Sequence, residues 1–405
     1  MSDKTDRFSK TNDIEEVVAP YGPIGIISMK GTEEMAKMID SFLVEWRQER
    51  SIAEKDSIHF MGYEKDSYII ETDCPRFGSG EGKGVIKSST RGHDLYFICD
   101  VTNYSITYPV GDQINHYSPD DHYQDLKRLI ATAAGRSKRM TVIMPFLYEG
   151  RQHNREERES LDCAQMLKEL VSMGVTNILT FDANDPRVQN AIPLHSFDTV
   201  SPTYQYIKAL CREYDDLDLD SRHMMVVSPD EPGMRRAIYF ASVLGVDMGM
   251  FYKRKDYTKK VNGENPVIAN EFLGADVAGK DVIIVDDMIS SGFTVIEAAE
   301  ELKSRNARRV FVCVSFGLFT NGLERFDEAY RKGLIDRIFT TNLVYQPEEL
   351  KKREWYANVN MSKYMALLID ALNHDYTISK LLNPVDRINK LLNSYKEKRN
   401  AAKEN

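Results

Sequence analysis

The stretch Val282 to Thr294, VIIVDDMISSGFT, constrains this chain more than any other. Four consecutive β-branched apolar residues suit a central strand buried on both faces, and two acids, Asp286 and Asp287, stand where that strand would end. Ser290, Ser291 and Gly292 follow, and then Val295, Ala298, Ala299 and Leu302 recur at helical spacing. The order is strand, acidic tip, small-residue loop, helix. Backbone N–H groups of such a loop, with the positive end of the next helix, can hold a phosphate, and adjacent carboxylates can accept hydrogen bonds from sugar hydroxyls. A small-residue loop alone fits an ordinary strand-to-helix turn with a capping serine equally well. The paired acids after a wholly apolar strand tip the reading towards a site.

The rest of the chain repeats that rhythm. Apolar strands are expected at Ile24 to Ser28, Leu95 to Cys99, Thr141 to Met144 and Asn177 to Phe181, with helical runs at Tyr123 to Ala134 and Ser160 to Met173. A second series follows, with strands near Met224 to Ser228, Val246 to Tyr252, Val282 to Val285 and Val310 to Val314. Its helices are expected near Met234 to Leu244, Thr294 to Arg305 and Gly322 to Lys332. Strands alternating with helices form parallel βαβ units, so the fold class is α/β with two tandem domains, each a mainly parallel sheet flanked by helices. At 405 residues the chain exceeds one core, and Pro193 and Pro202 place the boundary near 193 to 204.

A net charge of −9 argues against a nucleic-acid or anionic-membrane partner. The 5 cysteines are scattered without ligand spacing, as for reduced thiols in a cytoplasmic protein. The opening MSDKTDRFSK is polar where a signal peptide needs an apolar run, and no stretch approaches the ~20 apolar residues of a membrane helix.

The Val282 to Thr294 stretch resembles the ribose 5-phosphate loop of the type I phosphoribosyltransferase fold, and further segments are similar to the ribose-phosphate pyrophosphokinase (PRPP synthetase) family over residues 20 to 375. The resemblance implies a polar extension at 1–18, a phosphoribosyltransferase-like domain at 19–195 contributing to ATP binding, a second at 196–375 with the ribose 5-phosphate loop, and a helical polar tail at 376–405. In the first half, FGSGEGKG from Phe77 is similar to a family segment that reaches the ATP of a neighbouring subunit, with Glu81 on the family glutamate and Ser79 in place of an aspartate. MPFLYEGRQHN from Met144 puts Arg151 and Gln152 on the family's Arg-Gln pair for ATP. In ILTFDANDPRVQN, Asp182 and Gln189 match, while Asn184 stands where the family has a histidine that helps hold magnesium.

In the second half, VVSPDEPGMRRA resembles the pyrophosphate loop, with Asp230 on the family's magnesium aspartate. Arg235 and Arg236 are left open between site residues and exposed helix charges. MFYKRKDYTKK from Met250 is similar to the mobile catalytic loop, Lys253 on its lysine and Lys255 in place of its arginine. Asp286, Asp287, Ser291 and Thr294 match the ribose loop, with Ser290 in place of a third aspartate. His116 and His122 lie in a segment about 20 residues longer than the family needs, read as a polar surface insertion.

The resemblance thus implies Mg2+-dependent transfer of pyrophosphate from ATP to the C1 hydroxyl of ribose 5-phosphate, giving PRPP and AMP. Ser290, Ser291, Gly292 and Thr294 would hold the 5-phosphate, and Asp286 and Asp287 the ribose. Glu81, Arg151 and Gln152 would bind ATP, Asn184 and Asp230 the metal, and Lys253 and Lys255 would neutralise charge in flight. It also implies a homo-oligomer with ATP sites shared between subunits. Two rivals remain: a PRPP-consuming phosphoribosyltransferase, and a catalytically silent synthetase-like subunit. The departures at Asn184, Lys255 and Ser290 favour the second of these rivals, whereas the duplicated domain speaks against the first.

Overall fold

Alternating side chains along the central strands feed two cores at once. The structure, a computed structural model, describes residues 18–53, 63–156, 158–255 and 267–403, apart from the side chains of 52–53, 253–255, 267–270 and 402–403. The first half runs β1 (Ile24–Ser28), α1 (Glu33–Ala53), β2 (Thr72–Asp73), β3 (Val85–Ile86), β4 (Asp94–Ile98), β5 (Thr107–Val110), β6 (Gln113–His116), α2 (Pro119–Ala133), β7 (Arg139–Ile143), α3 (Asp162–Ser172), β8 (Asn177–Phe181) and β9 (Ser196–Val200). The second half runs α4 (Thr203–Glu213), β10 (Met224–Ser228), α5 (Met234–Leu244), β11 (Asp247–Lys255), β12 (Val267–Leu273), β13 (Asp281–Ile289), α6 (Phe293–Ser304), β14 (Arg309–Gly317), α7 (Glu324–Arg331), β15 (Arg337–Thr341), α8 (Glu348–Lys351) and β16 (Tyr356–Val359). It ends in α9 (Ser362–Asn373), α10 (Ser379–Leu382) and α11 (Val385–Lys403).

The strands form two large sheets. The first has the order β1-β4-β7-β8-β9 and is parallel throughout; the second, β12-β11-β10-β13-β14-β15-β16, is parallel except for the antiparallel β11–β12 edge pair. In β4, Leu95 and Phe97 pack with α2 and α3, while Tyr96 and Ile98 face the opposite core. In β13, Val282 and Ile284 pack with α6, and Ile283 and Val285 point into that same opposite core. One core therefore serves one face of each sheet, with α1, α4, α5 and α9 between them. This is the layering expected of α/β sheets covered on both faces.

The two halves are also fastened by buried and part-buried polar groups. Arg50 on α1 donates to Asp370 on α9 at 2.5 Å, and Asn373 donates through Nδ2 to Asp94 on β4 at 2.8 Å. Arg139 on β7 completes the seam by donating to both oxygens of Asp94. A charge removed from water this way is stable only because each partner is satisfied.

Three expectations need correction. Strand β9 lies after the expected boundary at 195 yet pairs along its length with β8, so sheet hydrogen bonding carries the first half to Val200. The tail is not merely polar: Ile388, Leu392 and Tyr395, spaced as one helical face, are buried in the shared core, and the Tyr395 hydroxyl donates to the Tyr214 carbonyl at 2.9 Å. The segment carrying His116 and His122 is not a surface insertion throughout. His116 is exposed on the β5–β6 hairpin, but His122 is 1% exposed on α2, with Nε2 2.8 Å from the Asn103 carbonyl.

Candidate active site

Strand β13 is 9 residues long, although only its first part lies inside the sheet on both sides. It pairs with β10 from Asp281 to Ile284, whereas β14 accompanies it as far as Ile289. The apolar run ends where expected, but Asp286 and Asp287 do not leave the strand. They sit on an overhang supported by β14 and open on the β10 side. Leu318 and Thr320 backbone N–H groups tie the next residues down by donating to the carbonyls of Ile289 at 2.9 Å and Ser290 at 3.0 Å.

The loop then turns at Gly292, whose φ of 78° opens α6. A side chain there would be strained, and its Cβ would come within 2.1 Å of the Phe326 ring. No side chain caps the helix, so the capping-serine alternative does not hold: the Ser291 hydroxyl reaches the Phe293 N–H only at 3.5 Å. The early N–H groups of α6 are thereby left facing the loop, the arrangement that suits an anion. The Ser290 and Thr320 hydroxyls share a hydrogen bond of 3.0 Å across its base.

Opposite the overhang, β10 ends in the turn that starts α5. The Ser228 hydroxyl donates to the Asp230 carbonyl at 2.7 Å, and the Asp230 carboxylate accepts from the Gly233 N–H at 3.0 Å. A Cβ at Gly233 would lie 2.7 Å from the Ser228 hydroxyl oxygen, so a side chain there would push that hydroxyl off the Asp230 carbonyl. From the first turn of α5, Arg236 reaches Asp287 at 3.4 Å, Asp286 at 3.9 Å and Asp182, beyond the end of β8, at 3.9 Å. Burial, then the Asp287 and Asp230 carboxylates, pushes the Asp286 carboxyl well above the usual carboxylate range. Burial likewise raises Asp182, with the Arg236 guanidinium opposing it.

These elements enclose a cleft of about 380 Å³ between the halves. Of the residues expected at a site, Arg151, Asn184, Asp230, Asp286, Asp287, Ser290, Ser291, Gly292 and Thr294 all line it. Arg151 donates to the sulfur of Met288 across the cleft. Gln152 does not line it; its amide donates to the Asn154 and Ser160 carbonyls at 3.0 and 2.9 Å, holding its own loop. Glu81 also does not line it, lying in an exposed turn where it accepts from the Ser79 hydroxyl at 2.8 Å. Lys253 and Lys255 lie within β11, opposite Asn270 and Val267, rather than in a loop beyond it; their side chains are outside the described residues.

Arg236 is the cleft residue whose role the sequence left open. Ala237, Phe240, Ala241 and Leu244 are the buried stripe of α5, and Arg236, four residues before Phe240, borders it. That periodicity distinguishes Arg236 from its exposed neighbour Arg235.

Magnesium prefers oxygen ligands, and Asp230 and Asn184, whose side chains carry a carboxylate and an amide oxygen, both line the cleft. Among the described residues, no three His, Cys, Asp or Glu side chains are grouped so as to cage an ion. The donor set thus fits an ion held mainly by phosphates and water, with the protein supplying part of the shell. No helix of the described residues is long and apolar enough to cross a membrane.

Comparison with known proteins agrees with the tandem fold. Residues 24–174 match the N-terminal domain of ribose phosphate pyrophosphokinase, and residues 199–352 match the phosphoribosyl transferase domain. The ribose-phosphate pyrophosphokinase of Aquifex aeolicus (strain VF5) is 26% identical over 287 residues, covering 70% of this chain and 81% of that protein. The ribose-phosphate pyrophosphokinase of Vibrio parahaemolyticus is 26% identical over 320 residues, covering 77% and 91%. The crystal structure of phosphoribosylpyrophosphate synthetase from Mycobacterium smegmatis superposes with a TM-score of 0.67 at 20% identity, covering 86% of this chain and 98% of that one, a likeness of fold. With both domains matched in tandem and relatives aligned over most of their length, the chain belongs to the ribose-phosphate pyrophosphokinase family.

Proposed function

We propose that the chain is a ribose-phosphate diphosphokinase, transferring the β,γ-pyrophosphoryl group of Mg-ATP to the C1 hydroxyl of ribose 5-phosphate to give PRPP and AMP. The observation that carries this reading is a single cleft to which both halves contribute: Arg151 and Asn184 from the first, the acid pair and the loop at 290–294 from the second. A phosphoribosyltransferase acting on PRPP alone would not need the first half's arginine opposite the ribose loop.

In this reading the N–H groups and hydroxyls of Ser290, Ser291 and Thr294 hold the 5-phosphate, with the positive end of α6 behind them. Asp286 and Asp287 accept from the ribose hydroxyls and so fix the sugar's orientation. Arg151 hydrogen-bonds or stacks on the nucleotide from across the cleft. Asp230 and Asn184 would hold magnesium, which supplies neutralisation of phosphate charge when bound. The C1 oxygen forms its bond to the β phosphorus and releases its proton to solvent, as that phosphorus parts from the α–β bridging oxygen, which leaves on AMP. Lys253, and Lys255 in place of an arginine, are assigned by sequence to neutralise charge during that transfer.

Glu81 is exposed and does not line its own chain's cleft, which supports a role at the ATP site of a neighbouring subunit in a homo-oligomer. The test of the reaction is direct. Purified protein with Mg-ATP and ribose 5-phosphate should form AMP and PRPP in equal amounts; no PRPP from a folded preparation would sink the reading and leave the silent-subunit alternative.

A further inference from the structure

We propose that Arg236 is a positioning residue for the acid pair, held in place from the other half of the molecule by Asp182. This rests on the reading that Asp286 and Asp287 address the sugar.

The guanidinium is 16% exposed and touches three carboxylates from both sheets: Asp182, at the end of the first sheet, and Asp286 and Asp287, together on the overhang of the second. At 3.4 to 3.9 Å none of these is a close hydrogen bond, so the arginine is shared between them rather than committed to one. Its location is therefore set by the balance of the three. Remove Asp182 and the remaining attraction draws it onto the acid pair, where it competes with sugar hydroxyls for the same oxygens.

Asp182 is built for a fixed position. Its φ is 38°, in the left-handed region that non-glycine residues seldom adopt, and its carboxylate is 8% exposed. The oxygen not facing Arg236 accepts from the Ser315 hydroxyl on β14, and the Ser315 oxygen in turn accepts from the Tyr206 hydroxyl on α4 at 3.2 Å. Ser315 is 0% and Tyr206 2% exposed, so these two support the carboxylate from beneath and are out of a substrate's reach. A polar chain thus runs from the core shared by the two sheets to the residues meant to bind ribose. Buried networks of this kind specify one geometry when every member is satisfied.

The consequence is that contact between the halves and readiness of the sugar site are coupled. Asp182→Asn and Tyr206→Phe should raise the dissociation constant for ribose 5-phosphate, measured by calorimetry without nucleotide, by about tenfold and about threefold, within the range of coupling between neighbouring charged groups. The apparent KM for ATP and the magnesium requirement should stay within about twofold of the parent, as expected when only sugar contacts are disturbed. Arg236→Gln should weaken sugar binding too, and adding Asp182→Asn to it should cost nothing further; Arg236→Lys should recover part of the loss.

Additive losses in sugar binding would overturn the proposal, as would a raised magnesium requirement in Asp182→Asn, which would make that residue a metal ligand. If the parent protein neither makes PRPP nor binds ribose 5-phosphate, the functional reading fails first. The positioning claim is then decided by urea unfolding of the parent, Asp182→Asn, Arg236→Gln and their double variant. Non-additive losses of stability for Asp182→Asn and Arg236→Gln support it, and additive losses overturn it.

Discussion

The two sheets solve the same problem, presenting polar groups at the carboxyl ends of parallel strands, in different ways. In the first, β1, β4, β7, β8 and β9 are each 5 residues long, and what reaches the cleft is loop: Arg151 after β7 and Asn184 after β8. In the second, β13 and β14 are each 9 residues long and run past β10 together. The acid pair is thereby placed on regular backbone with a hydrogen-bonded neighbour on one side only. A strand overhang holds a carboxylate within narrow limits, whereas a loop lets an arginine adjust to a larger ligand. On the proposed function, the second sheet would be the rigid sugar side of the site and the first its adaptable nucleotide side.

The sharpest way to break this contrast is Asp287→Ala. We expect turnover to fall on the order of 1,000-fold, at the upper end for loss of one preorganised contact, with ATP binding little changed in calorimetry. A comparable loss of ATP affinity would show that the overhang does not separate sugar from nucleotide.

Gly292→Ala tests the rigidity of the sugar side, because the new Cβ combines a left-handed φ with collision against Phe326. A loss of about 3 kcal/mol in urea unfolding is expected from backbone strain plus overpacking. Unchanged stability would mean that the loop yields easily. The seam between the halves should respond less. Burial works to raise the Asp370 carboxyl, but hydrogen bonds from Arg50, with the charges of Arg50, His374 and Arg47, outweigh it and hold the carboxyl below the usual carboxylate range. Its contribution is therefore present above the unfolded-state value and is lost as pH falls through the lower folded value. Asp370→Asn should cost about 2 kcal/mol at neutral pH, less than for a fully buried pair because Arg50 is 39% exposed, and its cost should shrink in acid. A cost independent of pH would place the effect in packing.

On the nucleotide side, Arg151→Ala should raise the apparent KM for ATP about tenfold, as for loss of one charged hydrogen bond, and leave that for ribose 5-phosphate within about twofold. The smallest expected effect has the opposite sign to the others. Asp286 is pushed up, so its folded state holds the proton more tightly than the unfolded chain does, and stability is lost as pH rises through the folded value. Asp286→Asn should lose activity yet gain about 1 kcal/mol of stability at neutral pH, with the gain vanishing below pH ~4. A destabilised Asp286→Asn protein would show that the acid pair is structural.

Much of this site was legible in the sequence because it follows from local rules. The run from Val282 to Val285 reads as a buried strand and Ser290 to Gly292 as a turn, and nine of the expected residues reached one cleft by lying in or just after the carboxyl ends of strands. Gln152 and Glu81 matched by similarity of segment, yet one braces its own loop and the other lies exposed outside the cleft. Matching a short motif does not say where a side chain's hydrogen-bonding capacity is spent.

What the sequence by itself determined was the order and parity of the elements: which residues alternate between cores, where small residues permit close approach, and that two α/β units follow one another. Only the tertiary structure decided that β9 closes the first sheet, that the tail docks on the shared core, and that Asp182 and Arg236, on different sheets' elements, meet at the acid pair. The physical reason is range. Strand and helix periodicity is set by neighbours along the chain, whereas the partner of a buried charge is chosen by whichever opposite charge the packed layers bring within a few ångströms.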